Sequence, residues 1–428
     1  MSETPIPAAL ELTQEDRARL AGNFGPATGM AMRILVRMAG IYGAPRLLDI
    51  EQAHIDSTVY VGDAGMEYAE RLAGLGAQVA VPTTLNVSGV DEHGWQEWDV
   101  PPLWAKHARR QMVAYQSMGC IPTWTCAPYQ ETMRPRFGQQ IAWGESNAIA
   151  FANSVLGART ERYPDLLDVC CAITARAPAI GLHLAENRAG QIRLRLSGVS
   201  RQVQTTDSFY TALGYLMGRI AEDQIPVIVG LEVAPNEDQL KAVCATAASS
   251  GRVALFHMVG VTPEAATEEL AFQGQQPLRE ATIAPHDLRT AWEALSTVAD
   301  PQVDMVVLGS PHFSLAEFAR LTPLLAGRRR HPDVQFLVTT SRGVRLLAER
   351  RGDLQVLEQF GARLTVDTCI LTSPMLPRSV RCIMTNAGKF AYYTPGLLGA
   401  QVIFGALEDC VDTAVAGHVV RREPQWHT

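Results

Sequence analysis

Long hydrophobic runs are missing from this 428-residue sequence. No segment approaches ~18 uninterrupted apolar residues, so the sequence predicts no membrane-spanning helix. The N-terminus lacks a basic start followed by an apolar run, which predicts no secretory signal. Basic residues are fewer than acidic ones, with 37 lysines and arginines against 44 aspartates and glutamates. The resulting net charge of −7 argues against broad nucleic-acid binding, which requires a basic surface.

The cysteine spacing that holds a local metal site is also missing. The eight cysteines include no C-x-x-C pair, which excludes a zinc finger. They form no regular disulfide framework either, and this favours a reducing, cytoplasmic location. Free cysteine is among the most buried residue types, so most of the eight are expected in the core. Cys126 and Cys369 differ, because each follows an apolar run and precedes a proline-containing turn. Each is a candidate metal ligand or nucleophile.

What the sequence does contain is a regular alternation of apolar runs and helix-length stretches. Hydrophobic residues make up 47% and charged residues 19%, as in ordinary globular proteins. Apolar strands separated by helices are typical of parallel sheets whose two faces are covered. We therefore predict an α/β fold with several parallel or mixed sheets flanked by helices. A chain of this length exceeds one core, and we place a boundary near Asn236, giving regions 1–235 and 236–428.

Apolar runs mark the predicted strands. They comprise residues 79–81, 180–184, 227–231, 253–259, 303–308, 334–338, 364–366 and 380–384. Polar groups follow the last four of these strands, at residues 309–312, 339–342, 367–369 and 385–389. In open α/β sheets, ligands bind beyond the carboxyl ends of strands. The sequence therefore predicts a small-molecule pocket at these strand ends.

Nine motifs, in order, resemble the catalytic large part of the aconitase X family. They span residues 54–396 and read HIDSTVYVGDAG, VAVPTTLNV, TCAPY, AWGESNAIAFANSVLGARTERY, GLHLAEN, ALFHMVGVTPEA, GSPHFS, DTC and TNAGKFAYYTPG. The resemblance implies an aconitase-like dehydratase that removes water from cis-3-hydroxy-L-proline or from mevalonate 5-phosphate. It also implies an iron–sulfur cluster held by cysteines of the large part.

The same resemblance implies a second component. In the family, a small swivelling β-rich domain, fused or separate, completes the active site. The last family motif here is followed closely by Thr428. The expectation is therefore a large subunit that lacks the swivelling small domain and forms a heterodimer with a small subunit.

The metal ligands implied by the resemblance include one departure. Cys126 in TCAPY and Cys369 in DTC match family thiols, but Ser310 in GSPHFS stands where the family usually has cysteine. Iron–sulfur clusters are held by thiolates, and a serine oxygen is a harder ligand. Three alternatives follow: Ser310 ligates through oxygen, the site holds a different metal such as a mononuclear one, or the cluster has been lost.

Removing water from a hydroxy acid requires an acid on the leaving oxygen and a base on the adjacent carbon. In aconitase-like enzymes the base is a serine of the swivelling domain, so the resemblance places it outside this chain. Positions within the matching motifs supply the remaining candidates. They are Lys389 and Ser57 for catalysis, and Gly65, Thr83, Thr84, Asn86, Ser146 and Asn147 for substrate binding.

The leading functional hypothesis is the large subunit of a cis-3-hydroxy-L-proline dehydratase. No clustered Lys/Arg motif for a phosphate lies near the matching segments, which disfavours mevalonate 5-phosphate as the substrate. A second class remains open, a non-catalytic binding subunit that has lost its cluster with the change at Ser310.

Overall fold

The computed structural model describes residues 9–130, 133–298 and 302–426. The first eight residues, which belong to the N-terminus predicted to carry no secretory signal, lie outside this range. No helix in the described ranges combines the length and apolarity needed to cross a membrane.

The first part of the chain contains a three-stranded parallel sheet in the order β3-β2-β4. A separate antiparallel pair joins β1 to β5. The elements are α1 (Gln14–Leu20), α2 (Pro26–Ile41), β1 (Leu47–Asp49), β2 (Gln52–Ile55), α3 (Asp63–Gly74), β3 (Thr83–Leu85), α4 (Pro102–Ser117), β4 (Ile141–Trp143), α5 (Ser146–Ser154), α6 (Leu167–Thr174) and β5 (Arg176–Pro178).

Local sequence explains why the first two helices form. Thr13 and Asp16 make a capping box at α1, with the Asp16 amide 3.1 Å from the Thr13 hydroxyl. Helix α2 buries one apolar face, on which Met32, Leu35 and Val36 are fully shielded from solvent.

The middle part builds a four-stranded parallel sheet in the order β8-β7-β6-β9. Helices α7 and α8 pack closely against each other, and the small residues Gly214 and Gly218 of α7 make this approach possible. The elements are β6 (Ile192–Leu196), α7 (Asp207–Ala221), β7 (Pro226–Val229), α8 (Glu237–Ser250), β8 (His257–Met258), α9 (Glu268–Ala271), β9 (Arg279–Ile283) and α10 (Pro285–Ala294).

The last part is a five-stranded parallel sheet in the order β12-β11-β10-β13-β14. Its elements are β10 (Met305–Phe313), α11 (Leu315–Leu325), β11 (Gln335–Thr340), α12 (Arg342–Arg351), α13 (Asp353–Phe360), β12 (Arg363–Thr365), β13 (Cys382–Thr385), α14 (Gly388–Tyr393), β14 (Gln401–Phe404) and α15 (Leu407–Ala416). The central strand β10 is buried along its whole length.

The first and last sheets meet through backbone hydrogen bonds. The Ser88 amide, just after β3, donates to the Asp367 carbonyl, just after β12, over 2.6 Å. Ser88 and Thr368 form a parallel bridge at the same point. The carboxyl ends of strands from both sheets are thereby brought to one place.

The predicted fold class is confirmed, since three parallel sheets and one antiparallel pair are flanked by helices. Two predicted strands are wrong. Residues 180–184 form a short 3-10 turn at Gly181–His183, and residues 79–81 are irregular chain before β3. Periodicity alone does not distinguish a short buried strand from other buried segments. Residues 309–312 were expected to follow β10 but belong to it.

The predicted boundary near Asn236 stays a prediction about folding units. In the structure, Asn236 is the N-cap of α8, where its side chain and Gln239 form a capping box. Helix α8 connects β7 to β8, which are neighbours in one sheet.

The close packing of α7 on α8 predicts that Gly218→Ala destabilises the protein. A methyl group at this position would lie 2.2 Å from Ser250 Oγ and 2.7 Å from the Ala247 carbonyl oxygen. Overpacking of this kind costs ~1–3 kcal/mol. Urea unfolding should show a lower midpoint with an unchanged slope.

Gly74→Ala is the matched control for this substitution. Gly74 is the last residue of α3, and no other heavy atom lies within 4 Å of the added methyl group. Alanine favours helix over glycine by up to ~1 kcal/mol, so this variant should be neutral or slightly more stable. Equal stability of the two variants would contradict the packing interpretation.

Candidate active site

A cavity of about 410 Å³ lies between the carboxyl ends of the first and last sheets. From the first sheet and its loops come Asp56, Ser57, Asn86, Cys126 and Glu145. From the last sheet come Ser310, Cys369 and Lys389. The volume suits a small metabolite, and the convergence of polar groups at strand ends is typical of α/β binding sites.

Cys126, Cys369 and Ser310 all line this cavity. The Cys126 sulfur accepts a hydrogen bond from the His312 amide at 3.3 Å. Burial raises the pKa of the Cys126 thiol to about 12. Burial also raises the pKa of the Cys369 thiol, while a hydrogen bond from the Ser310 hydroxyl lowers it. Without a metal, both thiols are therefore neutral near pH 7.

The donor set fits a metal that accepts sulfur and oxygen ligands. No cluster of three or more His, Cys, Asp or Glu side chains arranged to bind a metal occurs in the described residues. The cavity instead offers two thiols and one hydroxyl, and thiols are the usual ligands of iron–sulfur clusters. Ser310 supplies the third donor atom at this cavity.

The ring of His312 does not form a thiol–imidazole pair with Cys126. Its Nδ1 lies 3.1 Å from Thr125 Oγ1 and its Nε2 lies 3.0 Å from the Thr368 carbonyl oxygen. Burial lowers the pKa of His312 to about 4, so the ring is neutral. This geometry gives no support to Cys126 as a nucleophile activated by histidine.

Lys389 forms a buried ion pair with Glu145. The Lys389 side chain is 15% exposed and that of Glu145 is 6% exposed. Burial opposes the charge of the ammonium group, but Glu145 outweighs it and the pKa of Lys389 is raised. Among the described residues that line the cavity, Lys389 is the one basic side chain.

The carboxylate of Glu145 caps the start of α5. Its side chain accepts a hydrogen bond from the Ala148 amide at 2.9 Å and also contacts the Asn147 amide group. Asn147 is fully buried, accepts a hydrogen bond from Tyr129 at 2.7 Å and donates to the Cys126 carbonyl. Ser146 and Asn147 do not line the cavity, so their predicted contact with a substrate stays a prediction.

Ser57 is held by two buried partners. Its hydroxyl lies 3.0 Å from Asp168 Oδ1 and 2.9 Å from the Tyr115 hydroxyl. Asp168 Oδ2 also accepts the backbone N–H of Asp56 at 2.7 Å and of Ser57 at 3.3 Å. Burial raises the pKa of Asp168 to about 6, while these hydrogen bonds act in the opposite direction. Asp168 thus positions the Asp56–Ser57 segment at the cavity wall.

Asp56 carries a strongly perturbed carboxyl group. Burial raises its pKa to about 8, and the nearby carboxylates of Glu145, Asp165 and Asp168 add to this rise, while Lys389 opposes it. One of its oxygens accepts a hydrogen bond from the Asn86 amide group. At neutral pH, Asp56 is mostly in its neutral acid form.

The structure brings together Ser57, Gly65, Asn86 and Lys389, along with the three candidate metal ligands. It does not bring Thr83 and Thr84 into the cavity. Both lie within β3 and are buried, with Thr83 donating to the Val81 carbonyl and Thr84 hydrogen-bonded to His54. Their predicted contact with substrate stays a prediction.

Four acidic residues of the site were not among the sequence candidates: Asp56, Glu145, Asp165 and Asp168. Asp56 lies in HIDST and Glu145 in AWGESN, so both fall within the quoted motifs. The available signal was their place at strand ends, with Asp56 immediately after β2 and Glu145 two residues after β4. Asp168 lies in an apolar helix, and its role depends on a contact with residues more than one hundred positions away.

The fold and the cavity together define an α/β protein with a small-molecule site built from thiols, carboxyl groups and one ammonium group. Three family models cover most of the chain, described as aconitase X first domain at residues 9–186, second domain at 190–293 and third domain at 303–416. The chain belongs to the aconitase X family.

Named relatives fall into two groups. The chain is 47% identical to cis-3-hydroxy-L-proline dehydratase of Pseudomonas aeruginosa, over 96% of this chain and 71% of that protein. It is 43% identical to the enzyme of the same name from Hypocrea jecorina, over 99% and 71%. It is 34% identical to the phosphomevalonate dehydratase large subunit of Methanocaldococcus jannaschii, over 93% and 98%.

A solved structure has the same fold. The chain matches the crystal structure of Thermococcus kodakaraensis aconitase X in its holo form with a TM-score of 0.83. The match has 33% sequence identity and covers 94% of this chain and all of that one.

The raised pKa of Asp56 predicts that Asp56→Asn flattens the pH dependence of stability. The folded-state pKa of about 8 exceeds the ordinary value of ~3.9, so the folded protein holds a proton that the unfolded chain releases between these values. The contribution of this Asp56 proton to the free energy of unfolding is fully present below pH ~4 and is lost as the pH rises through about 8. Urea unfolding at several pH values should show a smaller decline for the variant.

Glu67→Gln is the control for this titration. Glu67 is an exposed carboxylate on α3 and does not line the cavity. Its substitution should leave the decline between pH ~4 and ~8 as in the wild type. A decline that is equally steep in Asp56→Asn would show that Asp56 does not hold the proton.

Proposed function

We propose that this chain is the large subunit of a dehydratase that removes water from cis-3-hydroxy-L-proline. The observation that carries the proposal is the cavity, which combines a candidate metal site, a neutral carboxyl group and a single ammonium group. The names of the two relatives at 43% and 47% identity support the same substrate.

The charge of the cavity favours a substrate with one carboxylate and no phosphate. Lys389 is the one basic side chain among its described lining residues, and it is already paired with Glu145. A phosphate ester carries additional negative charge, and proteins bind such groups with several cationic or N–H donors. An imino acid carries a compensating positive charge, which the acidic residues of the cavity accommodate.

We propose that Cys126, Cys369 and Ser310 hold an iron–sulfur cluster or a mononuclear metal. When bound, such a group supplies a Lewis acid for the leaving hydroxyl of the substrate. Ser57 and Lys389 would then contact the substrate from the cavity wall, Ser57 being oriented by Asp168 and Tyr115. Asn86 and Gly65 complete the proposed binding surface on the side of the first sheet.

A small swivelling-domain subunit is the proposed partner, and it would carry the base for the adjacent carbon. This chain matches 71% of the length of each of the two hydroxyproline dehydratases, so both are longer than the matched part. The archaeal relative is named a large subunit, and this chain matches 98% of its length. We also propose a cytoplasmic location, because all eight cysteines are free thiols, as in a reducing compartment.

A neighbouring groove supports a second candidate, mevalonate 5-phosphate. It shares Leu371, Thr372 and Leu397 with the cavity and is also lined by Arg378 and Arg381. Both arginines are exposed, and a longer substrate could place its phosphate against them.

Turnover of both compounds by the complex with its small subunit would distinguish the two candidates. We expect cis-3-hydroxy-L-proline to be dehydrated and mevalonate 5-phosphate to be a poor substrate. Combined Arg378→Ala and Arg381→Ala substitution should leave KM for the imino acid unchanged. Activity on the phosphate ester alone, with a KM raised by the two substitutions, would favour the second candidate.

Metal content provides a test that is independent of turnover. Cys126→Ala and Cys369→Ala should each lower the iron bound by anaerobically purified complex, because a thiol ligand is lost. Ser310→Cys supplies a third thiol and should retain iron at least as well as the wild type. Iron and acid-labile sulfide analysis, with visible absorbance, would measure each outcome.

Cys120→Ala is the control, since Cys120 is buried but does not line the cavity. Its iron content should equal that of the wild type. Colourless, iron-free wild-type complex without turnover would favour the non-catalytic binding subunit instead.

A further inference from the structure

Asp56 presents one free carboxyl oxygen at the cavity. Its Oδ1 accepts a hydrogen bond from the Asn86 amide group, and its backbone N–H is held by Asp168. Its Oδ2 accepts no hydrogen bond from any residue in the described part of the chain. The residue itself lines the cavity and is half-buried. A bound substrate can therefore reach this oxygen.

The groups facing Asp56 are mainly acidic. Glu145 approaches from the start of α5, and Asp165 and Asp168 approach from the loop before α6 and from α6 itself. Lys389 of α14 is the opposing cation, and its ammonium group is paired with Glu145. Carboxylates crowded in this way cannot all ionise, so the cluster retains a proton at neutral pH. Burial and these acidic neighbours raise the pKa of Asp56 to about 8.

The other polar groups are less suited to proton donation. Asp168 is occupied by three backbone N–H groups and the Ser57 hydroxyl, and it does not line the cavity. Asp165 is exposed to solvent. Glu145 is committed to Lys389 and to the Ala148 amide. Among the described carboxyl groups on the cavity wall, Asp56 combines a free oxygen with partial burial, whereas Asp165 is exposed.

We propose that Asp56 is the general acid that protonates the departing hydroxyl group of the substrate. This inference rests on the proposed function. The carbon–oxygen bond breaks with its electron pair on oxygen, and the Asp56 proton completes a water molecule. The adjacent carbon gives its proton to the base assigned to the partner subunit, and the freed electron pair forms the double bond. Asp56 then regains a proton from solvent.

The pH profile of kcat/KM tests this role in the complex with its small subunit. The acid form is the active one, so the wild-type rate should fall at alkaline pH, as Asp56 loses its proton. Asp56→Asn keeps the hydrogen bond from Asn86 but has no proton to give. Its kcat should fall ~10²–10⁴-fold, with a smaller change in KM. Asp56→Glu restores an acid and should recover part of the lost kcat.

Asp165→Asn supplies a second readout that leaves Asp56 intact. Removal of the Asp165 charge weakens the repulsion that raises the Asp56 pKa, so the fall in rate should move to lower pH. A merely structural role for Asp56 does not predict this shift. A fall at the same pH in the Asp165→Asn complex would overturn the proposal even if Asp56→Asn proved unable to fold.

Failure of this inference is distinguishable from failure of the proposed function. If the wild-type complex dehydrates substrate and Asp56→Asn keeps kcat within ~10-fold, the acid role alone is overturned. If the wild-type complex dehydrates neither compound, the proposed function is overturned and the acid role with it.

Discussion

The excess of carboxyl groups over cations at one cavity constrains the rest of this site. Asp56, Glu145 and Asp165 line the cavity, Asp168 lies directly behind it, and Lys389 is the one opposing cation among the described lining residues. The Lys389–Glu145 pair joins the end of β13 to the end of β4, and so connects the last sheet to the first. Removal of one partner would leave an uncompensated buried charge, which costs much more than an exposed pair gains.

Burial acts differently on the two sides of the cavity. On the side of the thiols, burial keeps Cys126 and Cys369 neutral, so the metal binding proposed for them would be coupled to the release of their protons. On the side of Asp56, burial and neighbouring carboxylates retain a proton. Both effects follow from the meeting of two sheets at their carboxyl ends, which removes water from groups that would otherwise be ionised or solvated.

Sequence reasoning predicted the sheets and the segments of the site better than the roles of single residues. The strand ends before Cys369 and Lys389 were predicted, because apolar runs followed by polar residues are local features, whereas Asn86 was identified only through its motif. Thr83 and Thr84 belong to the same motif as Asn86, but side chains within a buried strand and at its end have different surroundings. The roles of Glu145 and Asp168 depend on partners 244 and 111 positions away, and no local pattern reports such contacts.

Ser310 illustrates how one substitution changes the choices open to a site. Its hydroxyl hydrogen-bonds Cys369 and favours the thiolate form of that residue, against the effect of burial. A hydroxyl oxygen can bind a metal through a lone pair and still donate its hydrogen to Cys369, so ligation by Ser310 and support of Cys369 are compatible. A cysteine at the same position would supply a softer ligand and a weaker hydrogen-bond donor. The candidate site therefore offers two thiols and one hydroxyl oxygen, and this hydroxyl stabilises the thiolate form of Cys369 and can also present its oxygen to a metal.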